Sequence, residues 1–205
     1  MKGLVFLIDD DAAVRRGVGA LLQAAGYRTA LFESADRFLA ALPNANQSGA
    51  VILCDVCMPG MQGPELQQRL RDQAVGIPVV IMTAHGDVQL AVSAMRDGAI
   101  DFLEKPFTPD ELTKALDRAF TPRVALHPLI DLPTVDIARR IASLTARERE
   151  VLREIVNGQS NKAIARDLDL SPRTIEVHRR NLVAKMQATS FAELVRMAIA
   201  AGFCD

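Results

Sequence analysis

The sequence predicts a doubly wound α/β domain followed by a smaller all-α module. Five short apolar runs, Leu4–Ile8, Tyr27–Phe32, Val51–Cys54, Pro78–Met82 and Ile100–Leu103, alternate with stretches of helical periodicity. That alternation demands a parallel sheet with helices on both faces. From Leu144 onward the pattern is entirely helical. The charge divides in the same way. Residues 1–120 hold 11 Lys and Arg against 15 Asp and Glu, a net −4, and residues 121–205 hold 13 against 10, a net +3. An acidic part and a mildly basic part suggest different partners, with nucleic acid a candidate for the second.

The first run, Leu4–Ile8, is stopped by Asp9, Asp10 and Asp11. A helix from Ala12 to Ala25 follows, with Val14, Val18, Leu21 and Leu22 on one face and Gly26 closing it. Tyr27–Phe32 is more polar than the other runs and is expected near the sheet edge. Ser34 can cap a helix running to Leu42. Val51–Cys54 delivers Asp55 to the carboxyl end of a buried strand, because Met58-Pro59-Gly60 cannot continue it. A helix over Pro64–Asp72 leads to the fourth strand, which runs into Thr83-Ala84-His85-Gly86. Asp87 caps the next helix, through Asp97, and Gly98 ends it. After Ile100–Leu103 come Glu104-Lys105-Pro106-Phe107. Thr108 is then an N-cap, Pro109 the first helical residue, and Glu111 completes a capping box.

Ligands of open α/β sheets bind outside the carboxyl ends of the strands. Those ends offer Asp9, Asp10 and Asp11, then Asp55, Thr83 and Lys105. Carboxylates brought together from adjacent strands repel unless a cation sits between them. Few, hard oxygen ligands suit Mg²⁺, which keeps several waters and recruits phosphate oxygens. Lys105 adds positive charge and Thr83 a hydroxyl, which makes a site for a phosphoryl group with a carboxylate as nucleophile.

The segments Ile8-Asp9-Asp10-Asp11, Asp55-Val56-Cys57-Met58-Pro59-Gly60, Thr83-Ala84-His85-Gly86 and Lys105-Pro106-Phe107 resemble the receiver domain of two-component response regulators. The resemblance covers about residues 3–120. It implies a flavodoxin-like (βα)5 sheet of order 2-1-3-4-5, with Asp55 as phosphoacceptor. It places Mg²⁺ on Asp10 directly, on Asp9 through water, on Asp55, and on the backbone carbonyl of Cys57. Thr83 and Lys105 would hold the phosphoryl oxygens, and the Lys105-Pro106 bond is expected to be cis. Thr83 and Phe102 would be the switch pair, the ring rotating into space that Thr83 vacates. A sensor histidine kinase is the implied phosphodonor.

Three cysteines (Cys54, Cys57, Cys204) are too few for a disulfide framework. The N-terminus resembles no signal peptide, and no apolar run approaches the ~18 residues of a membrane span. A cytoplasmic chain without membrane contact is expected. Position 57 is more often basic or polar in the family. Cys54-Asp55-Val56-Cys57 therefore raises an alternative, a regulator gated by thiol oxidation at Cys54 and Cys57. Aspartate-dependent phosphatases share the Asp, Mg²⁺, Thr and Lys set, but they need a second carboxylate two residues after the nucleophile. Here that residue is Cys57, so no dedicated enzyme is expected.

Residues 121–143 read as a linker broken by Pro122, Pro128 and Pro133, with a short helix over Val135–Ala142. His127 in it is assigned no role. Residues 144–205 hold four helices: one capped by Thr145 and Glu148 through Val156, a short one after Ser160, one from Ser171-Pro172 to about Met186, and one after Ser190. In the last of these, Leu194, Val195, Ala198 and Ile199 should face inward. A tight turn before the third helix makes this a helix-turn-helix module. In that third helix Ile175, Leu182 and Met186 form an inward stripe, and Arg173, Glu176, Val177, Arg180 and Ala184 share an outward face. Arg can read guanine, Val a thymine methyl and Glu cytosine in a major groove.

Leu144-Thr145-Ala146-Arg147-Glu148-Arg149-Glu150-Val151-Leu152, Asn161-Lys162-Ala163-Ile164-Ala165 and Ser171-Pro172-Arg173-Thr174-Ile175-Glu176-Val177-His178 closely resemble the LuxR-type DNA-binding domain. Together with the receiver, the chain resembles the FixJ/NarL class of transcriptional regulators, nearer FixJ. The resemblance implies that Glu176, Val177 and Arg180 meet base edges of double-stranded DNA. Lys162, Thr174, Arg179 and Lys185 would contact or lie near phosphates. His178, at the edge of the stripe, should pack and make at most a backbone contact. The modest charge implies weak binding by one copy, hence a homodimer on paired half-sites after phosphorylation, with RNA polymerase a further partner.

Overall fold

The computed structural model describes residues 2–42, 49–84, 88–121 and 134–203. Asp87, His85, Gly86, the linker residues Pro122, His127, Pro128 and Pro133, and Cys204 lie outside the described residues. The chain divides into two compact units.

Strands β1 (Leu4–Ile8), β2 (Arg28–Phe32), β3 (Ala50–Asp55), β4 (Val79–Thr83) and β5 (Asp101–Glu104) form one sheet of order β2-β1-β3-β4-β5. Every pairing is parallel. This is the expected flavodoxin-like sheet, with the more polar run at its edge. The intervening helices are α1 (Ala12–Ala24), α2 (Ala35–Ala41), α3 (Gly63–Asp72) and α4 (Val88–Arg96), and α5 (Pro109–Phe120) follows β5.

Strand residues alternate between the faces, and the side chains sort accordingly. Val5, Leu7, Val51, Leu53, Val80 and Met82 join Leu22 of α1 and Leu112 and Leu116 of α5 in one core cluster. Phe6 meets Phe38 of α2 instead, ring centroids 5.3 Å apart. Phe38 is fully buried, and such burial contributes about 1.5–3 kcal/mol. All six residues of β3 are buried, Asp55 included. The central strand therefore carries its carboxylate to the rim of the sheet on a rigid support.

Helix starts follow the predicted chemistry. Asp11 caps α1 and Ser34 caps α2. Around α5 the Thr108 N–H donates to Glu111 Oε2 at 2.7 Å, and the Glu111 N–H donates to Thr108 Oγ1 at 3.3 Å. Helix α3 begins one residue earlier than predicted. A Cβ on Gly63 would lie 2.8 Å from the Asp55 carbonyl oxygen, and the Gly63 N–H donates to the Val56 carbonyl at 3.1 Å. Only glycine allows the helix to start this close to the end of β3.

Tyr27 is the one tyrosine of the chain, which has no tryptophan. Its hydroxyl contacts Asp117 Oδ1 at 3.0 Å, and its ring stacks on Phe120. Burial first, then the hydrogen bond and the charge of Asp117, push its pKa up to about 12. Phenolate absorbance of the native chain should therefore appear about two units above the free value near 10, and Asp117→Asn should bring it down. The neutral phenol is the favoured form. Its contribution to stability is complete below pH 10 and is lost as pH rises through about 12.

The second unit contains α6 (Thr134–Ala142), α7 (Ala146–Val156), α8 (Asn161–Asp167), α9 (Pro172–Lys185) and α10 (Phe191–Ala200). Helix α9 packs against α7, α8 and α10, and its predicted inward stripe, Ile175, Leu182 and Met186, is fully buried. Thr145, Ser160, Ser171 and Ser190 each cap the helix that follows through their side-chain oxygens. Between α8 and α9, Asp169 adopts φ 53°, a left-handed position that a short polar side chain tolerates.

Three arginines bind helix C-termini, where carbonyls point outward unpaired. Arg140 donates to the Met186 carbonyl at 2.7 Å, Arg149 to that of Ala142 at 2.8 Å, and Arg147 to that of Leu168. One expectation fails in α10. Ile199 is only partly buried, whereas Arg196, outside the predicted apolar face, is 4% exposed. The helix is covered over most of its circumference, and an arginine stem can lie along apolar surface.

Candidate functional site

At the carboxyl ends of β1, β3 and β5, three charged side chains meet. The Lys105 ammonium donates to Asp9 Oδ2 at 2.7 Å and also to Asp55 Oδ1. Asp9 is 1% exposed and Asp55 7%, so this is a mostly desolvated carboxylate–ammonium–carboxylate bridge. Each carboxylate has a second, local donor. The Asp11 N–H reaches Asp9 Oδ1 at 2.9 Å, and the Cys57 N–H reaches Asp55 Oδ2 at 3.0 Å. Arg15 on α1 holds the Asp9 carbonyl at 2.6 Å.

The electrostatics follow from that geometry. Burial raises the Asp55 pKa most, Lys105 pulls it back, Asp9 raises it again, and the net shift is upward. Burial works against the charged Lys105, but its hydrogen bonds to Asp55 and Asp9 outweigh burial and raise its pKa. A positive charge between the two carboxylates thus keeps an otherwise repulsive pair together.

Thr83 ends β4 and is fully buried. Its carbonyl accepts the Lys105 N–H at 2.7 Å, and its hydroxyl donates to the Ala84 carbonyl at 3.3 Å. Phe102 is 3% exposed in β5, registered against Ile81. The Lys105–Pro106 bond is cis. Asp10 is exposed and does not join the others: among the described residues, no three His, Cys, Asp or Glu side chains are grouped to hold a metal. Lys105 stands where the cation between the converging carboxylates was expected. Two carboxylates, with Asp10 adjacent in the chain, still fit a hard ion that takes few protein ligands and keeps its waters.

The thiol alternative finds no support. Cys54 is fully buried within β3, and burial, then Asp55 and Asp9, push its thiol far above the ordinary range. Such a thiol is a small apolar side chain rather than a nucleophile.

The second surface lies on α9. Arg173, Glu176, Val177 and Arg180 are exposed, Val177 at 40%. Lys162 on α8 is exposed as well, and Thr174 is half-buried. Two residues expected near phosphates are engaged within the unit. Arg179 stacks on the Phe191 ring at 3.8 Å and donates to Asn161 Oδ1 at 3.2 Å. Lys185 donates to the buried Glu148 Oε2 at 2.8 Å. Burial raises the Glu148 pKa, but Lys185 and the Thr145 donors outweigh it and hold it below the usual carboxylate range. His178 is half-buried, and its Nδ1 has no hydrogen-bond partner among the described residues.

Residues 5–117 match the response regulator receiver domain family, and residues 142–198 match the bacterial regulatory proteins of the luxR family. The chain belongs to the FixJ-type response regulators. The transcriptional regulatory protein FixJ of Bradyrhizobium diazoefficiens is 49% identical over 100% of this chain and 98% of its own length. FixJ of Rhizobium meliloti is 44% identical, with 97% and 96% covered. The crystal structure of full-length FixJ from B. japonicum matches at a TM-score of 0.54 and 46% identity, covering all of both chains.

This FixJ-type chain is therefore a DNA-binding response regulator with a receiver and a LuxR-type helix-turn-helix domain. Receiver domains generally bind Mg²⁺ at the phosphorylation site and imply a sensor kinase partner. Among the described residues, no helix is long and apolar enough to cross a membrane. Sequence patterns pointed neither to Arg15 nor to Gly63, and Glu148, expected only as a helix cap, also receives Lys185. Gly63 had a local signal, a glycine directly before the predicted helix start, whereas the Arg15 contact to the Asp9 carbonyl and the Lys185–Glu148 contact, 37 residues apart in the chain, had none.

Proposed function

We propose that Asp55 accepts a phosphoryl group from a sensor histidine kinase and thereby controls DNA occupancy by α9. The observation that carries this is the Lys105 ammonium shared between Asp55 and Asp9 at the strand ends. An Asp55 oxygen attacks the phosphorus of the kinase phosphohistidine. The new P–O bond forms an acyl phosphate as the P–N bond breaks, and the departing imidazole takes its proton from solvent. Asp9, Asp10, Asp55 and the Cys57 carbonyl would hold Mg²⁺, which supplies charge neutralisation to the transferring oxygens. Lys105 and Thr83 hold the phosphoryl oxygens. Phe102 follows Thr83 as the switch, which changes the outer surface of the receiver.

On this reading residues 1–120 are the receiver, 121–143 the linker and 144–205 the DNA-binding domain. Phosphorylation drives homodimerisation or domain release, and the dimer occupies paired half-sites in contact with RNA polymerase. The protein works in the cytoplasm as a regulator, not as a dedicated enzyme. Arg173, Glu176, Val177 and Arg180 face the bases, and Lys162 and Thr174 face phosphates.

The test uses the full chain, acetyl phosphate with Mg²⁺, and a duplex enriched from a random-sequence pool by the phosphorylated protein. Wild type should bind more tightly after treatment, and Asp55→Asn should bind equally with and without it. Undiminished stimulation of Asp55→Asn would remove Asp55 from the role.

A further inference from the structure

Glu148 sits at the third position of α7 and is 5% exposed. One of its oxygens, Oε2, accepts the Thr145 N–H at 2.8 Å, the Thr145 hydroxyl at 3.0 Å and the Lys185 ammonium at 2.8 Å. A capping-box carboxylate needs only the first of these to finish a helix start. The third ties it to the last turn of α9, 37 residues along the chain. Arg140 of α6 holds the Met186 carbonyl one residue further on. The C-terminal end of α9 is thus held by two cations in different ways. Lys185 reaches out from α9 to a carboxylate, and Arg140 reaches in to a carbonyl.

The side chain of Lys185 is 41% exposed, and that of Glu148 is 7% exposed. A lysine that spends its charge on a desolvated carboxylate has little left to neutralise a phosphate. We infer that Lys185 and Glu148 are positioning residues for DNA recognition: their bridge sets how α9 sits against α7, and Lys185 does not serve as a phosphate contact. This rests on α9 being the helix that reads DNA.

The two roles predict opposite signs. A phosphate contact by Lys185 is in competition with Glu148, so Glu148→Gln would free the ammonium and tighten binding. A positioning bridge is broken by Glu148→Gln, so binding weakens. The salt dependence separates them again. Removal of one phosphate contact lowers the magnitude of the slope of log K against log salt by ~0.9, whereas removal of a positioning residue leaves the slope unchanged.

The experiment measures binding of the full chain, treated with acetyl phosphate and Mg²⁺, to the pool-enriched duplex at several salt concentrations. Lys185→Met keeps the apolar stem and deletes the charge at a partly exposed position, so it retains the fold. It should weaken binding roughly tenfold, the loss expected when one base contact goes out of register, with an unchanged slope. Glu148→Gln should weaken binding to a similar extent, the double variant no further, and Lys185→Arg should restore most of the affinity. A slope reduced by about one contact in Lys185→Met, or tighter binding by Glu148→Gln, overturns the inference. Failure of the wild-type chain to enrich any duplex would instead defeat the DNA-recognition reading beneath it.

Discussion

Replacing Lys105 with methionine slows phosphorylation of the chain by acetyl phosphate by ~100-fold or more, the scale on which a preorganised charge at a reacting centre acts. Methionine retains the length of the side chain and removes its one polar atom, the ammonium that donates to both Asp9 and Asp55. Without it two mostly buried carboxylates face one another in a desolvated site. Burial and Asp9 already raise the Asp55 pKa, and Lys105 opposes both. Deleting Lys105 therefore removes the group that holds the Asp55 pKa down and leaves the transferred oxygens with one fewer cation. Mg²⁺ should respond the other way, binding at least as tightly in Lys105→Met by calorimetry, because a competing cation has left. The matched control is Lys114→Met, at an exposed position on α5, which should phosphorylate at the wild-type rate. A wild-type rate in Lys105→Met would exclude Lys105 from phosphoryl transfer.

Much of this site was legible because its parts sit where local patterns change. An apolar run that ends in Asp at Ile8–Asp9 or Cys54–Asp55 announces a buried strand and its carboxyl end together. The side-chain oxygens of Ser34, Thr108, Thr145, Ser160, Ser171 and Ser190 announce helix starts just as locally, and the structure uses all six as caps. Interactions between residues far apart in the chain have no such signature. Lys185 reads as a surface cation until Glu148 is brought beneath it, and Arg179 reads likewise until Phe191 of α10 slides under its guanidinium. Strand β5 starts at Asp101, one residue later than the apolar run from Ile100 predicts. Asp101 breaks the apolar run, and its aptness for a strand depends on an arginine in the next helix.

That arginine gives the second large effect. Arg118→Met should destabilise the receiver unit by ~3 kcal/mol, the low end of what breaking a buried ion pair costs. Asp101 is fully buried. Its Oδ2 accepts Arg118 Nε at 2.8 Å and Nη2 as well, and its Oδ1 accepts the Phe102 N–H at 2.9 Å. A bidentate guanidinium thus neutralises a carboxylate at the first residue of β5, the strand that carries Phe102 and leads into Lys105. The Arg118 side chain is 36% exposed, so water can reach part of the orphaned charge, which sets the estimate near the low end. Asp101→Asn removes the charge but keeps the shape, and in the double variant the penalty should be less than the sum of the two. Urea unfolding followed through Tyr27, the sole tyrosine, reads the receiver unit alone, and Arg118→Met should lower its midpoint by on the order of 1–2 M. A loss below ~1 kcal/mol would place the pair among ordinary surface bridges. The strand that delivers Lys105 would then be held by its apolar neighbours rather than by the ion pair at its start.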